Sequence, residues 1–373
     1  MKRSFIREIL ESIDNETISF AGGLPDESLF PIQELKKASD KVFDNPKNLQ
    51  YTISNGIAPL REKIADFYNK EGFGTKAQNI LITTGSQQGL YIIAKYFEHQ
   101  QIVIEDPSYL GAVNIFKMNK LKMEAIRLDY DGIDTQMFDE AYKRAKLAYL
   151  IPDFQNPKGS LYSDEKREEV AKSVARYGGY LIEDAPYSEL FFEKKSKSIS
   201  SMIPDNSLHL GSFSKTLSPS LRIGWIRANE EMIRQLTMIK ETIDLHSSGI
   251  TQHILNNYLE ESSRYEEHLE FLRSAYKTKM EIFTKALKNY LPDFRFEMPK
   301  GGMFVFGSLE GVDSFELVHR CIKEKVVYVP ANQFYLDGRI SDEIRFNFTY
   351  STKEQVTEGL KRISKVMKDR RQL

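Results

Sequence analysis

Cysteine, tryptophan and histidine are scarce in this 373-residue chain, which has one cysteine, one tryptophan and six histidines. The lone Cys321 excludes an internal disulfide framework and any zinc site built on several thiolates. The histidines are scattered and never take a metal-ligand spacing such as HExxH, so no metal site is expected. An excess of charge is missing too: 52 Lys and Arg against 53 Asp and Glu leave a formal charge of −1. That balance offers no electrostatic case for nucleic acid or an acidic membrane as partner. The N-terminal MKRSFIREILESIDNE is charged throughout, unlike a signal peptide or a transmembrane segment, so a cytoplasmic location is expected. No internal repeat or low-complexity linker interrupts the chain.

What is present is a globular pattern with 41% apolar residues, in a chain longer than a single core usually supports. Short strand-like runs alternate with amphipathic helical ones between residues 50 and 230. The strand candidates span 79–85, 101–107, 122–129, 146–154, 179–187, 207–213 and 221–228. Most are nearly continuous apolar runs, which implies burial on both faces and a mostly parallel sheet. Helical stretches such as DEKREEVAKSVARYG would cover it, giving an α/β fold with a seven-stranded sheet and helices on both faces. The last two strands are so close in sequence that they predict an antiparallel pair at one edge. Beyond 229 come helices, then the runs GMFVFGS, VVYVPA and EIRFNFTY and a final helix. We expect a large domain over 46–285 and a smaller α/β domain from 1–45 and 286–373.

Polar clusters sit where such strands end, the place where open α/β sheets gather functional groups. TTGSQQGL (83–90) opens a helix, so Ser86 and Gln87 could hold an anion there; taken alone, a simple N-cap by Ser86 is the expectation. PDFQNPKG (152–159) presents Asn156, in an Asx-type turn or in a functional role. EDAPY (183–187) brings Asp184 straight out of an apolar run, as a helix cap or as the partner of a cation or donors. Tyr109 in EDPSY could be core filling. GFGTKA (72–77) precedes a strand rather than following one, and so reads as a turn, not a dinucleotide loop. GSFSKTLSPSLRIGW (211–225) places Lys215 directly after Ser212 and Ser214, with Arg222 seven residues on. An aldehyde cofactor needs such an amine, and a phosphate suits Arg222.

Together with FAGGLP and YTISNGIAPLR, these motifs follow one family order. The chain resembles the pyridoxal-phosphate-dependent aminotransferases of fold type I, class I/II, in the branch of 2-aminoadipate, kynurenine and aromatic enzymes, to which the effector domains of MocR-like regulators are similar. The resemblance runs from ISFAGGLPDESLFP to EIRFNFTY. It implies pyridoxal 5'-phosphate as cofactor, bonded covalently to Lys215, which would also shuttle a proton. Asp184 would face the pyridine nitrogen, Tyr187 and Asn156 the phenolate oxygen, and Tyr109 the ring face. Ser86, Gln87, Ser212, Ser214 and Arg222 would hold the phosphate. Tyr51 would reach it from a second subunit, so a homodimer with shared active sites is implied. Arg345 would pair with the substrate carboxylate, beside Asn156 and the backbone N–H of Gly23.

Two positions depart from the family pattern. Ser220 replaces a usual glycine, and Lys158 replaces threonine in NPTG and is expected to face solvent. The resemblance implies ping-pong transfer from an L-amino acid of aromatic, branched-chain or 2-aminoadipate type to a 2-oxo acid such as 2-oxoglutarate. The segments 25–30 and 244–253 would select the side chain. The same residues would serve a β-lyase or another Cα-carbanion enzyme, which product analysis separates. A MocR-like sensor is the other alternative, but only 17 residues precede Ile18, too few for its DNA-binding module.

Overall fold

The computed structural model describes Asp14 and residues 16–370. The charged N-terminal stretch before Asp14, and with it the start of the expected small domain, lies outside the described residues. The central sheet has eight strands, in the order Ile80–Thr83, Gly224–Arg227, Ser207–Ser212, Tyr180–Asp184, Leu147–Leu150, Gln101–Asp106, Lys122–Asp129 and Gly132–Ile133. All seven expected strands are present. The eighth is the two-residue Gly132–Ile133, which folds back on Lys122–Asp129 and is too short to leave a periodic signal.

Side chains of the inner strands are buried on both faces, as their unbroken apolar runs require. Ile102, Ile104, Leu208 and Leu210 join one core cluster, while Val103, Ala148, Leu150 and Leu181 join a second on the other face. The expected antiparallel pair exists, but not at the rim. Gly224–Arg227 runs against Ser207–Ser212 on one side and against Ile80–Thr83 on the other, and Ile80–Thr83 is the edge. Apolar runs report burial, not strand order, so the outer placement of Ile80–Thr83 left no trace in the sequence. The consequence is functional: this one reversed strand begins where its neighbours end, so residues entering it share an edge with residues leaving the others.

A second, four-stranded antiparallel sheet has the order Arg295–Phe296, Phe304–Ser308, Glu343–Asn347 and Val329–Pro330. Ile18–Ser19 pairs in parallel with Val326–Val327. Phe20 continues that strand: its N–H donates to Val327 O, and its carbonyl accepts from Asn347 N, both at 2.8 Å. The segment after Phe20 is thereby led from this sheet toward the carboxyl edge of the large one. A 29-residue helix, Ser262–Tyr290, runs alongside. Its Tyr276 and Lys279 hold Asp26 by a hydrogen bond to the backbone N–H at 3.3 Å and an ion pair at 2.8 Å. No helix among the described residues is long and apolar enough to cross a membrane.

Candidate active site

Seven segments supply the site at the carboxyl edge of the large sheet, and the register explains how the first of them meet. Thr83 and Ser212, both at strand ends, are paired with Gly224, the first residue of the reversed strand. Arg222 therefore reaches the same edge from the opposite chain direction. It closes the turn Pro219–Leu221 in a left-handed conformation, φ 51°, ψ 39°. Its guanidinium donates to Thr84 O and Pro219 O, both at 3.2 Å, and lies 3.5 Å from Ser214 Oγ. Ser212 Oγ donates to Ser214 Oγ at 3.0 Å and accepts from Ser214 N at 3.1 Å, so the two hydroxyls form one compact pair. Ser220 stands exposed in that turn, outside the positive-φ residues. No glycine is needed there, because Arg222 takes the left-handed conformation instead.

The helix Ser86–Tyr96 begins beside this guanidinium. Ser86 is its first helical residue, not its cap; the cap is Gly85, at φ 77°, ψ 163°, and no side chain caps the turn. The expected Ser86 N-cap is thus corrected, which leaves the hydroxyl available for other bonds. Glycine is required at 85 twice over: the backbone conformation is one that other residues avoid, and a Cβ would lie 2.4 Å from Arg222 Nη2. Gln87 accepts a hydrogen bond from Tyr109 OH at 3.2 Å, which ties that half-buried ring to the helix start. Tyr109 lies folded over Gly111, where a Cβ would meet the ring at 2.5 Å.

Asp184, at the end of its strand, is 2% exposed. Tyr149 OH donates to its Oδ2 at 2.8 Å, while Oδ1 has no partner. Burial pushes the carboxyl up to about 7, and the tyrosine bond opposes that rise. Lys215 Nζ donates to Gly23 O at 2.7 Å, which joins the FAGGLP segment to the lysine loop. Burial, then the cations Arg345 and Arg222, bring its ammonium down to about 8.

Arg345 sits on the central strand of the small sheet, opposite Phe306 and Val329, and is 3% exposed. Its Nη1 donates to Asn156 Oδ1 at 2.7 Å and its Nη2 to Ala21 O, while Nε has no partner. The guanidinium is 4.4 Å from the Phe304 ring centre and 5.1 Å from that of Phe334. Burial lowers it to about 10. The Tyr187 ring meets Phe304 edge-on at 5.8 Å, and the Asn156 side chain beside it favours the ionised phenol, against the rise that burial causes. Asn156 thus bonds to Arg345 and borders Tyr187.

The contacts above join Gly23 to Lys215, Gln87 to Tyr109, and Asn156 to Arg345, and set Ser212, Ser214 and Arg222 at the start of the helix that carries Ser86. Asp184, on the strand next to that of Ser212, stands in register with Leu210, and Tyr187 borders Phe304. Tyr51 is turned outward: its ring is 80% exposed and edge-on to His246 at 5.8 Å. Lys158 does not face solvent as expected. Its Nζ donates to Leu128 O at 2.6 Å and stands 5.0 Å from the Tyr130 ring centre, and burial lowers its ammonium. It braces the loop that carries Asn156.

Sequence reasoning missed Tyr149, Phe304, Phe334 and the Ala21 carbonyl. Tyr149 left a faint sign, a hydroxyl inside the apolar run LAYL. Gln155 went unweighed too, although it holds the Asn156 loop through Glu105 Oε2 at 3.0 Å and Pro107 O at 2.9 Å.

Comparison with known proteins adds an independent finding. The family model for aminotransferase class I and II matches residues 17–363. The aromatic-amino-acid aminotransferase 1 of Thermococcus litoralis is 32% identical over 99% of this chain and 92% of its own. The 2-aminoadipate transaminase of Thermus thermophilus is 33% identical over 99% of this chain and 94% of its own. Among solved structures, the Thermus thermophilus alpha-aminoadipate aminotransferase complexed with N-(5'-phosphopyridoxyl)-L-leucine superposes with a TM-score of 0.91 at 33% identity, over 99% of this chain and 95% of that one. The Pyrococcus horikoshii kynurenine aminotransferase superposes with a TM-score of 0.93 at 31% identity, again over 99% and 95%.

Proposed function

Because the chain belongs to the class I and II aminotransferases, and so is a pyridoxal-phosphate enzyme, we propose that it moves amino groups from L-amino acids with bulky side chains to a 2-oxo acid such as 2-oxoglutarate. Aromatic, branched-chain and 2-aminoadipate donors are the intended class, and the cycle is ping-pong. The relatives named for aromatic amino acids and 2-aminoadipate support that choice. So does the apolar Leu24, 44% exposed and next to the glycine that the Lys215 amine contacts.

One observation carries the assignment of residues. Among the described residues, Asp184 and Arg345 are the only charged side chains with a buried polar atom lacking a partner. A lone buried acceptor and a lone buried donor are costly unless something supplies their bonds. A protonated ring nitrogen suits Asp184 Oδ1, and an α-carboxylate suits Arg345 Nε. The donor set of Ser86, Gln87, Ser212, Ser214 and exposed Arg222 suits a phosphate. The residues present therefore fit the cofactor.

In this reading Lys215 is the covalent anchor and afterwards the proton carrier at the substrate Cα; its lowered pKa supplies the neutral amine both tasks need. When bound, the cofactor supplies the electron sink that makes the Cα–H bond acidic. Asp184 keeps the ring nitrogen protonated. Asn156 and Tyr187 hold the ring oxygen, and Tyr109 lies against the ring face. Arg345, with the Gly23 N–H and Asn156, fixes the substrate carboxylate and so aims the Cα–H bond.

We further propose that residues 46–285 form the cofactor-binding domain and that 1–45 with 286–373 form the smaller one. The working form is a cytoplasmic homodimer in which Tyr51 reaches the other subunit's phosphate site. The outward turn of Tyr51, beside Leu49 and Ile53 at 52% and 55% exposure, supports that pairing.

A half-reaction tests the function. The loaded enzyme mixed with leucine, phenylalanine or 2-aminoadipate, with no acceptor present, should release one equivalent of 2-oxo acid per active site and stop. Continuous release of ammonia, or no 2-oxo acid from any of the three, refutes the reading.

A further inference from the structure

Tyr149 is fully buried, has no access to solvent, and yet is bonded to the most consequential carboxylate in the molecule. Its strand, Leu147–Leu150, lies between Gln101–Asp106 and Tyr180–Asp184, and Tyr149 is in register with Ile104 and Ile182. Side chains two apart on a strand share a face, so Tyr149, Ile182 and Asp184 point the same way. The phenol is long enough to reach one residue further toward the carboxyl edge, and its hydroxyl meets Asp184 Oδ2 at 2.8 Å. The ring is held there by Phe116, edge-on at 5.3 Å.

The surroundings make this bond decisive. Leu210 stands in register with Asp184 on the other neighbouring strand and has nothing to donate. Glu105 projects from the face opposite Ile104, spends its oxygens on Ile151 N, Tyr162 OH and Gln155 Nε2, and acts on Asp184 only by repulsion. Tyr187 makes no hydrogen bond to Asp184, whose Oδ1 has no partner. Among the described residues, Tyr149 is thus the one side chain that donates to Asp184, and burial holds its hydroxyl firmly protonated. A phenol that can only donate distinguishes the two oxygens: Oδ2 is taken and Oδ1 is left, without a partner, for another donor.

We propose that Tyr149 is a positioning residue for the cofactor, acting through Asp184. Its hydroxyl selects Oδ1 as the oxygen offered to the ring nitrogen and keeps Asp184 ionised in a site whose burial favours the neutral acid. The shared proton then stays on the ring nitrogen, where it strengthens the electron sink. This rests on the reading of Asp184 as that nitrogen's partner. A bond to the ionised carboxylate favours the charged form; without it, the proton shifts from the ring nitrogen toward Asp184.

The test compares Tyr149→Phe, Asp184→Asn and the double variant, each loaded with cofactor. Tyr149→Phe should lower kcat about tenfold while KM stays within about twofold, the size expected for losing one charge-assisted hydrogen bond. The pH midpoint of the visible absorption band should move in the same direction as in Asp184→Asn, but less far. On top of Asp184→Asn, Tyr149→Phe should add nothing to kcat or to the band. Melting of the cofactor-free proteins reports any general loosening of the fold, which an inert core tyrosine would also cause. An unmoved band midpoint in Tyr149→Phe, or the same loss of kcat whether residue 184 is Asp or Asn, overturns the proposal while leaving the site reading intact. A wild-type band and cofactor affinity in Asp184→Asn would instead overturn the reading of Asp184, and the proposal with it.

Discussion

Gly85→Ala separates backbone strain from cofactor binding at one atom's distance. The native φ of 77° and ψ of 163° lie in a region essentially reserved for glycine, and holding another residue there costs roughly 1–3 kcal/mol. The added Cβ would also fall 2.4 Å from Nη2 and 3.0 Å from Cζ of Arg222. Those atoms end a flexible, exposed side chain, so the clash is relieved by swinging the guanidinium away, at little cost in stability. The swing breaks its bond to Thr84 O and removes the fork from the phosphate site. Losing a charge-assisted hydrogen bond to phosphate is worth about 1.5–3 kcal/mol, or a roughly 10- to 100-fold weaker cofactor. Titrating the apo-protein with pyridoxal phosphate by visible absorbance measures this, and thermal melting of the apo-protein measures the strain. Gly72→Ala is the control. Its φ is 73°, nothing lies within 4 Å of the added carbon, and it should lower stability without touching cofactor affinity. Equal cofactor affinity in Gly85→Ala and wild type would refute the role given to Arg222.

Three further outcomes follow from named contacts. Lys215 has its pKa lowered to about 8 by burial and then by Arg345 and Arg222, so its neutral amine accumulates as pH rises through 8. The rate of covalent cofactor attachment to the apo-protein should climb to pH 8 and level off; a rise continuing to pH 10 refutes the shift. Arg345→Lys keeps the charge but loses the planar fork, so KM for the amino donor should rise roughly 10- to 100-fold, with cofactor affinity unchanged, in steady-state kinetics and the same titration. Tyr68→Phe orphans both neighbours of its hydroxyl, Trp225 Nε1 at 2.8 Å and His209 Nδ1 at 2.8 Å. It should cost roughly 2–4 kcal/mol in denaturant unfolding and leave the donor KM alone.

Much of the fold was legible because its strands are buried on both faces, and a short unbroken apolar run such as SLHLGSF fits few sites except the inside of such a sheet. The candidate site residues stood out for a related reason. Asp184 and Arg345 are charged groups inside apolar runs, and such groups are costly without partners. Strand order was not legible: Ile80–Thr83 and Gly224–Arg227 are equally apolar, and only pairing shows which is the edge. Lys158 was misread for the same lack of three-dimensional information. A lysine in a loop is ordinarily solvated, and here the carbonyl of Leu128 and the ring of Tyr130 stand over it.

The reversed strand shows why the site could not be assembled from motifs alone. Were Gly224–Arg227 parallel to its neighbours, Arg222 would enter it at the far end, roughly 3.3 Å per residue away from Ser212 and Thr84. Reversal brings Gly224 against both Thr83 and Ser212, and the approach is so close that a Cβ on Gly224 would sit 2.6 Å from Ser86 N. The proposed anion site is therefore made of three chain segments that only this topology lets touch, and two glycines, 85 and 224, leave the room for them. The same topology turns Tyr149 inward beneath Asp184. A single hydroxyl in an apolar strand was the weakest of the sequence signals, and register alone shows which carboxylate it serves.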